Sequence, residues 1–144
     1  TPRTKAIIAV HLHHSMADLE ALLVLARRNR LFLIEDAAQA HGALYGAGRA
    51  GSFGDIAAFS FQQTKVLTSG EGGAVVTNDR ALAERVFELH ADGRRWQDWP
   101  DPVTGLQLAD GSGPMGANHG LTEFQAAILL AQLPDLDERL ETTA

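Results

Sequence analysis

The sequence predicts an α/β domain, a mostly parallel sheet with one antiparallel strand, flanked by helices. Three observations carry this. Short continuous apolar runs, of the kind expected for strands covered on both faces, alternate with stretches of helical periodicity. A strand, a helix and a second strand fit into about thirty residues, the length of a βαβ unit. A later pair of apolar runs is separated by only about a dozen residues, too few for a helical crossover, so that pair should be antiparallel.

Taken in order, Ala6–Val10 is the first apolar run. Asp18–Asn29 carries Leu19, Leu22, Leu23, Leu25 and Ala26 at helical spacing, with Ser15 as a candidate cap. Leu31–Ile34 is the second strand, ending at Glu35-Asp36, and should lie parallel to the first across a right-handed crossover. Gly42 to Gly54 holds five glycines and reads as a loop. Ile56–Phe61 and Ala74–Thr77 are the third and fourth strands, joined by a loop that contains Lys65. Asp79–His90 is a helix with Leu82, Val86 and Leu89 as its apolar stripe. Asp92–Asn118 holds Trp96, Trp99 and three of the five prolines, and reads as a long loop. The helix Thr122–Leu133 opens on a capping box, Thr122 with Gln125. Both ends look cut, which suggests a piece of a longer polypeptide.

Composition narrows the function classes. The chain has 144 residues, about one domain, with 45% hydrophobic and 21% charged residues, a globular balance. The net charge is -6, and no basic run exceeds Arg27-Arg28 or Arg94-Arg95, so no nucleic-acid partner is expected. With no cysteine, disulfides and thiolate zinc sites are excluded. His11, His13 and His14 crowd together after the first strand, but their spacing matches no helical zinc motif, and no metal site is expected. No apolar run approaches a membrane span and the first residues are no signal peptide; the cytoplasm is the default.

The chemistry gathers at one edge. In open α/β sheets, ligands sit beyond the carboxyl ends of the parallel strands. Asp36 ends the second strand, Ser60 lies near the end of the third, and Lys65 stands just past it. A lysine held where its ammonium is poorly solvated loses its proton readily and serves as an amine nucleophile toward carbonyls; the plainer reading is a solvated loop residue. A carboxylate in the place of Asp36 could keep a pyridine nitrogen protonated, or simply cap a helix. Ser60 could bind a phosphate with nearby N–H groups, or satisfy its own backbone. Gln39, about one turn after Asp36, could face the same space or be an ordinary polar residue.

Four ordered blocks turn these separate readings into one. They are Glu35–Gly42 (Glu-Asp-Ala-Ala-Gln-Ala-His-Gly), Gly51–Asp55 (Gly-Ser-Phe-Gly-Asp), Phe59–Lys65 with Thr68–Gly73, and Gly116–Ala127 around Asn118. Together they resemble the DegT/DnrJ/EryC1/StrS sugar aminotransferases over nearly the whole chain. The resemblance implies the central part of the large domain of a fold type I pyridoxal 5'-phosphate enzyme, with Lys65 as the imine-forming lysine and proton carrier. It further implies Asp36 on the pyridinium nitrogen, Gln39 on the ring or its 3-hydroxyl, and Ser60 on the phosphate. Asn118 would reach the phosphate of the neighbouring subunit, so a homodimer with a shared site is expected. The lysine disfavours the dehydratase branch, which carries histidine there.

His11–Asp18 together with Thr64–Gly73 looks most like the aminocyclitol branch, which uses L-glutamine to aminate scyllo-inosose or 2-deoxy-scyllo-inosose in aminoglycoside antibiotic biosynthesis. Two alternatives stand beside it: an enzyme resembling 3-amino-5-hydroxybenzoate synthase, and a non-catalytic nucleotide-binding α/β module. The second lacks both a Gly-x-Gly-x-x-Gly after a strand and a P-loop. The family's upstream phosphate loop, its ring-stacking aromatic and its small domain have no counterpart in these residues.

Overall fold

Four strands are laid down by apolar runs that find one another in the expected pairs. They are β1 (Ala6–Val10), β2 (Phe32–Asp36), β5 (Ile56–Ser60) and β6 (Gly73–Val76), in the order β1-β2-β5-β6. The computed structural model describes residues 1–93 and 114–143. Pairings β1–β2 and β2–β5 are parallel and β5–β6 is antiparallel, as the short connection requires. A two-stranded hairpin, β3 (Leu44–Tyr45) and β4 (Gly48–Arg49), stands apart in the segment expected as loop. Strands of two residues leave no periodicity to read.

Helix α1 (Leu19–Asn29) crosses from β1 to β2 and buries Leu19 and Ala26 against Ala9 and Leu33. Its cap is Asp18, whose carboxylate accepts the N–H of Ala21, and not Ser15. Ser15 is already committed to a tight hairpin with Leu12, whose two backbone bonds measure 3.1 and 2.9 Å. Helix α3 (Glu123–Gln132) opens on the expected Thr122–Gln125 capping box. Pro134 breaks it into a 3₁₀ turn, Leu133–Asp135, and α4 (Leu136–Thr143) follows.

Two sequence expectations change. Strand β2 runs through Glu35 and Asp36, because these polar residues pair with Ala9 and Val10 of β1. Among the described residues the strands are also covered on one face only. Side chains alternate across a sheet, and α1 covers only the face of Ile7, Ala9, Leu33 and Glu35. On the other face Ile8, Val10, Phe32 and Val75 remain exposed among the described residues.

The Leu12–Ser15 hairpin places two consecutive histidines at positive φ, His13 at 50° and His14 at 62°. Two-residue hairpins need this conformation, and only glycine takes it without penalty. His14→Gly in the full-length protein is therefore expected to raise unfolding stability by about 0.5–1 kcal/mol. A higher urea midpoint at unchanged slope is the readout.

The described residues form two compact units, Thr1–Asn78 with Leu121–Ala144, and Asp79–Gly120. The second contains α2 (Arg80–His90), capped by the Asp79 carboxylate on the N–H groups of Ala81 and Leu82. The C-terminal end of α2 pairs with the segment around Asn118: Ala117 and His119 donate to the carbonyls of Leu89 and His90. Most of the expected long loop, with Trp96 and Trp99, lies outside the described residues.

Candidate active site

At the carboxyl edge of the sheet, β2 ends on two acids that face opposite ways. Glu35 is fully buried on the α1 side. Asp36 lies on the other side and is half-buried. One Asp36 carboxylate oxygen accepts the N–H of Ala38 at 3.1 Å, a turn contact and not the helix cap of the plainer reading, since β2 is followed by a turn and no helix. The other oxygen has no partner among the described residues. Asp36 pairs with Ala58 on β5, and Ser60 lies two residues further on the same face. Their backbones are thus one strand over and two residues along, about 8 Å apart.

Beyond Ser60 the chain makes a tightly bonded loop. Ser60 Oγ accepts the N–H of Gln62 at 3.3 Å, leaving its own hydrogen to donate outward. The Gln62 side chain accepts both the N–H and the hydroxyl of Thr64, at 2.9 and 2.7 Å. The Lys65 N–H closes a turn on the Gln62 carbonyl at 2.9 Å. The Lys65 side chain is half-buried, and its amine has no carboxylate and no hydrogen bond among the described residues. A lysine needed as a nucleophile must be free of such a partner.

The far side of this loop is anchored to α3. Gln132 accepts the Thr68 N–H at 3.2 Å and donates to the Thr68 carbonyl at 2.7 Å, and Gln125 donates to the Glu71 carbonyl at 2.9 Å. Gly72 sits at φ 133°, a conformation that strains any L side chain, and a Cβ there would lie 2.6 Å from the end of the Leu121 side chain just before α3, so the loop favours glycine at this point. The sequence marked Gln125 only as the capping-box partner of Thr122 and did not mark Gln132, because nothing in a helix pattern shows a partner that far away along the chain.

Gln39 offers its side-chain amide without a partner among the described residues, while its carbonyl accepts the N–H of His14 at 3.2 Å. Two residues past Gln39, His41 is buried against Phe59 and Phe61 at ring-centroid distances of 5.4 and 6.1 Å. Its Nε2 is buried without a hydrogen bond. Burial holds the His41 pKa below its ordinary value; the Ser60 carbonyl pulls it back up in part, and the charges of Lys65 and His14 press it further down.

This fixes a sign for acid stability. Unfolded His41 takes up a proton below about pH 6.5 while the folded residue stays neutral, so stability falls as pH drops through that region. His41→Gln is expected to flatten the decline of thermal midpoint between about pH 6.5 and 5. Buffer-matched melting curves of both proteins check it.

Asp36, Ser60 and Lys65 thus share one edge of the first unit, with Gln39 in the turn beside them. Asn118 belongs to the second unit, where it is exposed and bridges to Ala91. Among the described residues no group of three His, Asp or Glu side chains could hold a metal ion. The donor set instead suits pyridoxal 5'-phosphate: an unpaired amine for an aldehyde, an open carboxylate oxygen for a ring nitrogen, an amide for a phenolic oxygen and a hydroxyl for a phosphate. The buried, unsatisfied Nε2 of His41 marks this neighbourhood as one that still has a hydrogen-bonding position to fill.

Residues 1–144 match the DegT/DnrJ/EryC1/StrS aminotransferase family. The chain is 53% identical over 141 residues to the L-glutamine:2-deoxy-scyllo-inosose aminotransferase of Micromonospora echinospora, covering 98% of this chain and 34% of that protein. It is 50% identical to the enzyme of the same name from Streptoalloteichus tenebrarius, covering 96% of this chain and 33% of that one. Among solved structures, DesV of S. venezuelae superposes with a TM-score of 0.80 at 45% identity, over 96% of this chain and 34% of the other. A 3-amino-5-hydroxybenzoic acid synthase gives 0.80 at 40% identity, over 96% and 34%. The chain spans about a third of the length of these relatives.

Proposed function

The chain belongs to the DegT/DnrJ/EryC1/StrS aminotransferase family, and from that premise we propose that it is the central part of the large domain of a pyridoxal 5'-phosphate-dependent aminotransferase. The enzyme passes an amino group from L-glutamine to a keto-cyclitol, 2-deoxy-scyllo-inosose or scyllo-inosose, in aminoglycoside biosynthesis. The observation that carries this reading is the Lys65 amine, unpaired among the described residues, in the loop that leaves Ser60 at the sheet edge where Asp36 keeps one carboxylate oxygen open. Relatives named for these two ketones, at 48–53% identity, support the substrate class. Asn118 binding the phosphate of a second subunit, and hence a cytoplasmic homodimer, belong to the same proposal.

When bound, the coenzyme supplies an aldehyde and a ring that takes up the electrons of a carbanion. The residues of this chain do the rest. Lys65 Nζ holds the coenzyme and, once free, takes the proton from the donor carbon and returns it during the exchange. Asp36 keeps the ring nitrogen protonated through its open oxygen. Ser60 Oγ donates to the phosphate, and Gln39 orients the ring through its amide. Across the two half-reactions the ketone oxygen of the cyclitol is replaced by the amino group, and glutamine leaves as its 2-oxo acid.

Incubating the full-length protein with α-amino-labelled glutamine and 2-deoxy-scyllo-inosose should give an amino-cyclitol carrying one label by mass. No labelled product from any keto-cyclitol or keto-sugar would refute the reading. Formation of 3-amino-5-hydroxybenzoate from its dehydroshikimate-type precursor would instead favour the aromatising relative.

A further inference from the structure

We propose that the buried His11–Glu35 pair is a positioning device for Asp36, holding the end of β2 so that the Asp36 carboxylate meets the ring nitrogen; this rests on the pyridoxal-phosphate reading above. Both side chains are fully buried, and His11 Nε2 lies 3.1 Å from Glu35 Oε2. The Ala17 N–H donates to His11 Nδ1 at 3.2 Å, which requires a lone pair on Nδ1 and places the ring proton on Nε2, facing the carboxylate. The histidine is therefore a neutral donor.

Glu35 collects three more donors. Gly51 N–H meets Oε2 at 2.8 Å, and Phe53 and Gly54 N–H meet Oε1 at 2.8 and 2.7 Å. Each oxygen accepts two bonds, and no cation is among the donors. Burial alone would raise the pKa of this carboxyl, but the N–H groups of Gly54, Gly51 and Phe53 and the His11 ring outweigh it and hold the pKa below the ordinary value. A buried anion satisfied only by fixed N–H groups is rigid, because any displacement breaks several charge-assisted bonds at once. Gly54 must be glycine here: a Cβ would lie 2.6 Å from the Leu33 carbonyl.

The geometry ties this hub to the next residue. The His11 N–H donates to the Asp36 carbonyl at 3.0 Å while the His11 ring grips Glu35, so the residue that follows β1 holds two successive residues of β2. On the other side the Ala37 N–H bonds the Ala58 carbonyl at 2.9 Å. The strand end is thus held from both neighbours and from the Gly51–Gly54 turn beneath. What stays free is the other face, where the Asp36 side chain projects.

The test compares wild type, Glu35→Gln, Asp36→Asn, the double variant, and Leu19→Ala as a control for simple destabilisation, all in the full-length protein. A glutamine cannot satisfy four N–H donors, since its NH₂ must face two of them. Glu35→Gln is expected to weaken pyridoxal phosphate binding by roughly tenfold, to shift the pH midpoint of the bound coenzyme's visible absorption in the direction Asp36→Asn shifts it, and to add little on the Asp36→Asn background. In the coenzyme-free protein it is expected to speed amide exchange at Ala37 and Ala38. Leu19→Ala should lower the melting temperature without any of these changes. If Glu35→Gln only lowers the melting temperature, or its spectral effect adds fully to that of Asp36→Asn, the proposal is overturned. A wild-type protein that binds no coenzyme would sink the functional reading instead, and the exchange at Ala38 would still decide whether the pair holds this strand end.

Discussion

Lys65→Ala in the full-length protein is expected to abolish amination, lowering turnover by roughly four orders of magnitude or more. The loss should come without a matching loss of stability. The Lys65 side chain is half-buried and makes no hydrogen bond or ion pair among the described residues, so its removal should cost less than about 1 kcal/mol. The loop that carries it is held by other groups, Gln62 on Thr64 and Gln132 on Thr68. Lys65→Arg should not rescue, because a guanidinium does not give up its proton and cannot act as an amine nucleophile. Turnover and melting curves on the same preparations decide the point. A Lys65→Ala protein with near-normal turnover would remove the amine from the mechanism.

The second large effect is expected at Asp36. Asp36→Asn keeps the shape and can still accept the Ala38 N–H, since asparagine caps a turn as well as aspartate does. What it removes is the charge at the open oxygen. If that charge holds a ring nitrogen protonated, kcat/KM should fall about 10²–10³-fold while the melting temperature moves little. If Asp36 served only the turn, activity would be nearly unchanged. The substitution therefore separates the two readings that the sequence left open at this position.

How far the sequence was legible depended on the range of each interaction. The β1–α1–β2 unit, the antiparallel last pair and the Thr122–Gln125 box rest on neighbours within a few residues or on a crossover of known length, and all were readable. Family blocks named Asp36, Gln39, Ser60 and Lys65, and the structure sets them on or beside one sheet edge. The Glu35 hub was not readable, because its donors lie 16 to 24 residues away in the chain. A charged residue inside an apolar strand was its one local sign. The Gln132–Thr68 tether spans 64 residues and left no sign at all. Strand burial was misjudged for a related reason: an apolar run does not reveal whether both faces find cover within these residues, and Ile8 and Val10 remain exposed.

The most direct measurement of the central claim is borohydride reduction of the full-length protein followed by peptide mass analysis. Between Thr1 and Ala144 there are two lysines, Lys65 and Lys5. Lys5 precedes β1 and so sits at the opposite, amino edge of the sheet. A pyridoxyl-phosphate mass increment on the peptide containing Lys65 is the predicted result. An increment on Lys5, or a protein whose lysine peptides all stay unmodified while the coenzyme washes away, would contradict it.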